Sequence, residues 1–269
     1  DHDGDLDVVV INQSGGHEIF NNNLNGTFRR LSQAPESNFT PSNQPGRGLV
    51  AVDLDGDRDL DLMALHQSPP HQVWVNDRLW QYQAGQSLNA LISSDVVELV
   101  AGDLQADGGT DLVVLNSAGE LVHWTRLGHE GWITTVVANV PSAAQDSEAR
   151  SGLAMMDIDG DGRLDLLVHD AQGFEVFQWH EDQQTLESRY RFDGSVESLL
   201  PVVHEVSLGP SVIGVRQESV GWTLNWWAPG RARYNFVGIE PTGKSSTADG
   251  MRSNASGLGT QLVARVGQH

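Results

Sequence analysis

Sixteen of the 36 acidic residues in this chain are aspartates gathered into four short stretches, and their spacing is the feature that could do chemistry. Two stretches are complete: DLDGDRDLD from Asp53 to Asp61, and DIDGDGRLD from Asp157 to Asp165. Counted from its first residue, each loop carries carboxylates at positions 1, 3, 5 and 9. These are Asp53, Asp55, Asp57 and Asp61 in one, and Asp157, Asp159, Asp161 and Asp165 in the other. Position 7, Asp59 or Arg163, offers a backbone carbonyl. Carboxylates this dense repel one another unless a cation sits among them. Calcium takes roughly six to eight oxygens and tolerates irregular geometry, so alternating side chains on a glycine-containing turn suit it. Magnesium, which holds to an octahedron and keeps its waters, suits them less well. The expected role of the ion is to order the turn between two strands and to couple its binding to folding.

The other two stretches are incomplete. DHDGDLD, at the start of the chain, aligns by its ending with positions 3 to 9, which leaves Asp1, Asp3 and Asp7 as ligands and Asp5 at the carbonyl position, and it is expected to bind poorly. DLQADGGTD keeps Asp103, Asp107 and Asp111 but has Gln105 at position 3, and is expected to be weak or empty. An EF-hand begins similarly, but it requires a bidentate Glu at position 12 followed by a helix. Position 12 here is Ala64 or Val168, each inside an apolar run, so the EF-hand is rejected.

Catalytic patterns are missing. With no Cys there is neither a thiol nucleophile nor a thiolate metal site, and there is no GxSxG elbow and no HExxH. Glu98, Glu120, Glu148 and Glu175 are scattered singly, and the clustered aspartates are better explained as metal loops than as a glycosidase pair. GIEPTGKS, from Gly238 to Ser245, fits the phosphate-binding pattern GxxxxGK[ST]. The residues after Lys244, SSTADGMRSNASG, have poor helix propensity, so no helix N-terminus would meet a phosphate and nucleotide binding is not expected. The histidines, His66, His123 and His169 among them, read as surface or blade-edge residues. Sequons occur at Asn25, Asn38 and Asn254. A net charge of −20 argues against a nucleic-acid partner and an acidic membrane surface, and no apolar run is long enough to cross a bilayer.

The elements that must position the loops repeat. LDVVVI, LDLMAL, TDLVVL and LDLLVH each close an Asp stretch, with Asp7, Asp61, Asp111 and Asp165 spaced by 54, 50 and 54 residues. A period near fifty, in short runs rich in Val, Leu, Trp and Phe without helical spacing, predicts an all-β propeller of four-stranded blades. GLVAV, VELVA and GLAMM would precede the loops, and HQVWVN, ELVHWT and FEVFQW would supply the third strands. About five blades are expected, at 1–45, 46–95, 96–149, 150–193 and 194–238, the last without an Asp loop, in a native ring of about seven. Trp222, Trp226 and Trp227 sit close together in that last blade, and alternate tryptophans are expected to pack between blades while others cap the sheet, with a sugar-stacking or protein-contact platform as the competing expectation.

These repeats resemble the FG-GAP and VCBS β-propeller repeats, known from integrin α-subunit heads and exported bacterial proteins and marked by DxDGDGxxD between apolar strands. The resemblance covers residues 1 to 180. From residue 239, GIEPTGKSS and RSNASGLGTQLVARVG resemble the opening of the ASPIC/UnbV domain that follows such propellers in the cartilage acidic protein family. An insertion from Ser246 to Met251 and Ala255-Ser256 depart from that pattern. The resemblance implies a secreted or extracytoplasmic, calcium-filled, non-enzymatic protein of adhesion or recognition with a protein or glycan partner. The competing expectation is the substrate-binding part of an exported polysaccharide-acting enzyme.

Overall fold

The computed structural model describes residues 6–23, 25–31, 38–57, 59–77, 81–128, 131–140, 151–203, 209–228 and 230. Asp1, Asp3 and Asp5 of the first stretch lie outside the described residues, as do the GIEPTGKS segment and the ASPIC/UnbV-like segment from 239.

Five small antiparallel sheets follow one another along the chain, each built from sequence-adjacent strands. Blade 1 has β1 (Val8–Val10), β2 (Glu18–Asn22) and β3 (Phe28–Arg30). Blade 2 has β4 (Gly46–Val52), β5 (Asp61–His66), β6 (Gln72–Asn76) and β7 (Tyr82–Ala84). Blade 3 has β8 (Glu98–Gly102), β9 (Asp111–Leu115), β10 (Glu120–Arg126) and β11 (Trp132–Asn139). Blade 4 has β12 (Gly152–Met156), β13 (Asp165–Asp170), β14 (Gly173–His180) and β15 (Thr185–Asp193). Blade 5 has β16 (Ser198–Val202), β17 (Ser211–Glu218) and β18 (Gly221–Trp227). The first strands β4, β8, β12 and β16 lie side by side in succession, so the sheets are arranged as propeller blades. Helix among the described residues is confined to a turn at Gln86–Leu88 and α1 (Asn89–Ile92) between blades 2 and 3.

The unbroken apolar runs after each loop have a simple cause. In an isolated sheet with one wet face they would alternate with polar residues, but here the second strand of a blade is covered on both faces. In β5, Leu62 and Ala64 pack toward Ile19 and Leu31 of blade 1, while Met63 and Leu65 pack toward Leu112 and Val114 of blade 3. In β9, Val113 and Leu115 face the other way, onto Leu166 and Val168 of blade 4. Leu167 continues the pattern toward Leu199 and Val212 of blade 5. The core is therefore a series of seams between blades, and each seam supports the strand that carries the next loop. The outer strand of blade 4 is largely polar: β15 exposes Glu187, Arg189 and Arg191, which keeps that sheet edge soluble.

The three clustered tryptophans alternate: Trp227 packs between blades, its ring meeting Phe174 and Phe192 of blade 4 at centroid distances of 5.0 Å. Trp222 and Trp226 alternate with it on the opposite face of β18 and are exposed at 62% and 43%. The reading of the histidines as surface residues is corrected: His17, His66, His71, His123 and His169 are all buried. His66, His123 and His169 lie within strands rather than after them, and His17 and His71 lie just before strands, where the stacked blades bury them.

Leu115 is fully buried at the seam of blades 3 and 4. Leu115→Ala should lower unfolding stability by about 3 kcal/mol in a urea titration, the usual loss when a core leucine leaves a cavity that cannot collapse.

Candidate metal centre

In blades 2, 3 and 4 the Asp loop connects the first strand to the second, and its closing aspartate is also the first residue of that second strand. Asp61, Asp111 and Asp165 are each at most 2% exposed. Such burial would be costly for a bare carboxylate, and hydrogen bonds offset it. Asp61 Oδ2 accepts the N–H of Leu54 at 2.7 Å, and Oδ1 accepts the N–H of Asn76 at 2.8 Å. One side chain thus ties the loop, β5 and the end of β6 together. Asp165 Oδ2 repeats the first bond with Ile158 N–H at 2.8 Å, and Asp111 Oδ2 with Leu104 N–H at 3.0 Å. Asp7 makes the second bond in blade 1, from Asn22 N–H at 3.0 Å.

In blades 2 and 4 the loop folds back over this residue. The turn needs a left-handed residue at position 4, supplied by Gly56 (φ 81°) and Gly160 (φ 79°). The folding back collects Asp53, Asp55 and Asp61 in one blade, and Asp157, Asp159 and Asp165 in the other. In each set, one oxygen per residue lies within 4.8 Å of the others. Positions 1, 3 and 9 of the sequence pattern are therefore brought together, and these residues could hold a metal ion. Position 5 also shapes the second half of the loop: Asp57 Oδ1 accepts the N–H of Asp59 at 2.9 Å, and Asp161 Oδ1 that of Arg163 at 2.8 Å. Asp157 also stiffens the turn by accepting from Gly160 and Gly162 at 2.7 and 2.9 Å.

The electrostatics are those of a site that favours a cation. Burial, with further pressure from neighbouring carboxylates, raises Asp61 and Asp165 to about 6. Burial, then Asp57 and Asp53, raises Asp55; burial also raises Asp161, beside Asp159 and Asp157. An all-oxygen donor set with its charges crowded together fits a hard divalent ion.

Blade 3 is built differently. Asp103, Asp107 and Asp111 are not gathered as the other two sets are. Gln105 points away, its Nε2 donating to Gln184 of blade 4 at 3.1 Å. Position 4 is Ala106, forced to φ 57°. The inner oxygen of Asp111 instead meets His123 Nε2 at 3.1 Å and Thr125 Oγ1 at 3.3 Å. The matching register positions of His123 are Val73 in blade 2 and Val176 in blade 4, so only blade 3 carries this donor. The missing aspartate at position 3 was legible in the sequence. The compensating His123 was not, because it lies twelve residues downstream on another strand.

In metal-free protein, folding favours the protonated form of a carboxyl whose folded pKa lies above its unfolded one. Asp61 and Asp165 should therefore weigh against the fold at pH 7, and that burden should lift as pH falls through about 6 toward 4. Carboxyl ¹³C titration in chelator should find both ionising near pH 6, and a divalent ion should move both transitions to lower pH.

The FG-GAP-like repeat family matches residues 1–64 and 103–168, which include all four Asp stretches. Cartilage acidic protein 1 of Mus musculus is 25% identical over 189 residues, covering 65% of this chain and 29% of its own length. The Homo sapiens protein of the same name is 24% identical over 189 residues, with 65% and 28% covered. The chain thus spans less than a third of the length of these relatives. Among solved structures, an Agrocybe aegerita lectin that recognises non-reducing terminal N-acetylglucosamine superposes with a TM-score of 0.55 at 13% identity. That superposition covers 89% of this chain and 63% of the lectin. With the repeats, the blade-by-blade strand order and these likenesses in agreement, the chain is a β-propeller whose repeats are similar to the FG-GAP-like repeat and whose sequence is similar to the cartilage acidic proteins.

Proposed function

We propose that this chain is a non-enzymatic recognition propeller of an exported protein, with calcium held in the loops of blades 2 and 4. One observation carries the reading: two loops in matching blade positions independently gather positions 1, 3 and 9 into three-carboxylate sets within 4.8 Å. Calcium is the ion that this donor set suits, because the ligands are all oxygen and the turn imposes no octahedron. Asp53, Asp55 and Asp61, with Asp157, Asp159 and Asp165, would be its side-chain ligands. The carbonyls of Asp59 and Arg163 would complete the shell together with Asp57 and Asp161. The ion would neutralise the loop and fix the junction of first and second strands. A site of this kind fills readily where calcium is plentiful, which supports a secreted or extracytoplasmic setting. No helix among the described residues is long and apolar enough to cross a membrane.

Recognition is supported by the likeness to a lectin fold and by the exposed Trp222, Leu224 and Trp226 on β18, which offer apolar surface to a sugar ring or a protein. A glycan partner is favoured over a protein one by the lectin likeness. The test is a glycan array that includes terminal N-acetylglucosamine, run beside a protein pull-down, with calcium or with chelator. Glycan signal that needs calcium supports the reading. A blank array with a specific protein captured moves the partner to the protein class, and turnover of any bound glycan overturns the non-enzymatic assignment.

Calorimetry of calcium into chelator-stripped protein should give two sites. At a hundredfold excess over Kd each should add roughly 3 kcal/mol of stability, read as a higher melting temperature. Asp55→Asn should remove one site and leave the other unchanged. Conversely, Gln105→Asp combined with His123→Val, which gives blade 3 the donor set and neighbour of blade 2, should raise the count to three.

A further inference from the structure

Three histidines that take no part in the Asp loops form a hydrogen-bonded chain through the seam of blades 1 and 2. His17 lies just before β2, His66 ends β5 and His71 lies just before β6; they are exposed at 1%, 1% and 4%. Their partners determine where each proton sits. The backbone N–H of Asn12 donates to His17 Nδ1 at 3.2 Å, which leaves the proton of that ring on Nε2. His66 Nδ1 stands 2.6 Å from the carbonyl oxygen of Pro70, which can only accept, so His66 carries its proton on Nδ1. The bare Nε2 of His66 then accepts the Nε2–H of His17 across 3.2 Å. The backbone N–H of His66 donates to His71 Nδ1 at 3.1 Å, and His71 Nε2–H donates to the carbonyl of Ser94 at 3.2 Å. All three rings are neutral, and the chain runs from blade 1 through blade 2 to the segment that enters blade 3.

A proton added to any of them meets another proton. On His17 it would sit on Nδ1 against the Asn12 N–H, on His66 on Nε2 against the His17 Nε2–H, and on His71 on Nδ1 against the His66 N–H. The charged groups nearby do not outweigh burial. Arg47 of β4 acts on His71 unfavourably and is itself 3.7 Å from Glu98 of β8. Asp95 acts on His71 favourably but by less than burial opposes it, and its carboxylate also accepts the N–H of Ser117 at 3.1 Å. Glu18, beside His17 in the chain, is paired with Arg30.

We infer that this chain of imidazoles is an acid-sensitive latch: protonation breaks it and releases blade 1 from blade 2. Burial, and then the neighbouring His66, hold His17 below the ordinary imidazole range; burial does the same for His71. For a histidine lowered in the fold, stability is present above the unfolded value of about 6.5 and is lost as pH falls below it. This sign is opposite to that of the metal-free aspartates, whose burden lifts over the same range, so the two effects can be separated in chelator.

The test is hydrogen exchange on the full chain in excess chelator at pH 7.5 and 5.5, corrected for the intrinsic pH dependence of exchange. Long-range ¹H–¹⁵N spectra of the imidazoles would accompany it. At pH 7.5, His17 and His71 should appear as Nε2–H tautomers and His66 as Nδ1–H. At pH 5.5, amides of β1, β2, β5 and β6 should lose protection by about tenfold for each histidine kept neutral in the fold, the factor by which an ordinary imidazole favours its proton one unit below about 6.5. Blade 5 serves as the internal reference and should not change. Other tautomers at pH 7.5, unchanged protection in blades 1 and 2, or an equal loss in blade 5 would each overturn the inference. Because no calcium is present, failure of the calcium assignment would leave this result intact.

Discussion

A carboxylate buried at the head of the second strand in blades 2, 3 and 4 is the constraint on which their loops depend. Asp61 cannot be placed there without donors, and the donors available are the backbone of its own loop at Leu54 and the end of the third strand at Asn76. Satisfying it folds the loop onto the sheet and fixes where β5 and β6 finish relative to each other. The charge that remains crowds against positions 1 and 3, and that crowding is what a divalent ion would relieve. Blade geometry and the gathered carboxylates that could hold a cation are thus two consequences of one buried group.

The blades solve this problem in different ways, although their backbones are alike. Blade 2 uses backbone donors and a gathered carboxylate set. Blade 4 has the same set, with Gln178 Nε2 donating to Asp159 at 2.8 Å. Blade 3 gives up an aspartate at position 3 and places His123 and Thr125 against Asp111. Seams also differ in character: those of blades 2, 3 and 4 are aliphatic with aromatic edges, whereas the seam of blades 1 and 2 runs a polar chain of histidines beside Trp74 and Phe39. A polar seam in which every group is satisfied holds firmly, and it fails abruptly when one proton is added.

Neighbouring loops and blades are also joined across the seams. Arg126, at the end of β10 in blade 3, donates to the carbonyl of Leu54 in the blade 2 loop at 3.0 Å, and Gln105 of the blade 3 loop reaches Gln184 of blade 4. Ordering one loop therefore bears on the packing of the next blade. This is how a local site can stiffen a stacked array in which each blade touches only its neighbours.

The sequence alone determined the repeat, the all-β propeller and the candidate ligands at positions 1, 3, 5, 7 and 9, because each rests on local spacing: a fifty-residue period, continuous apolar runs and alternating aspartates. It also set the third loop apart, through Gln105, as one expected to be weak or empty. Only the tertiary structure decided that position 5 shapes the loop while positions 1, 3 and 9 converge, since that depends on how the turn folds over a buried carboxylate. Likewise it decided that Trp222 and Trp226 face outward while Trp227 packs inward, and that five histidines are buried. Strand alternation says that residues point to opposite sides, but not which side another blade will cover. The partners of His17, His66 and His123 come from other strands or another blade, and the pairing that brings them into reach exists only once the sheets have stacked.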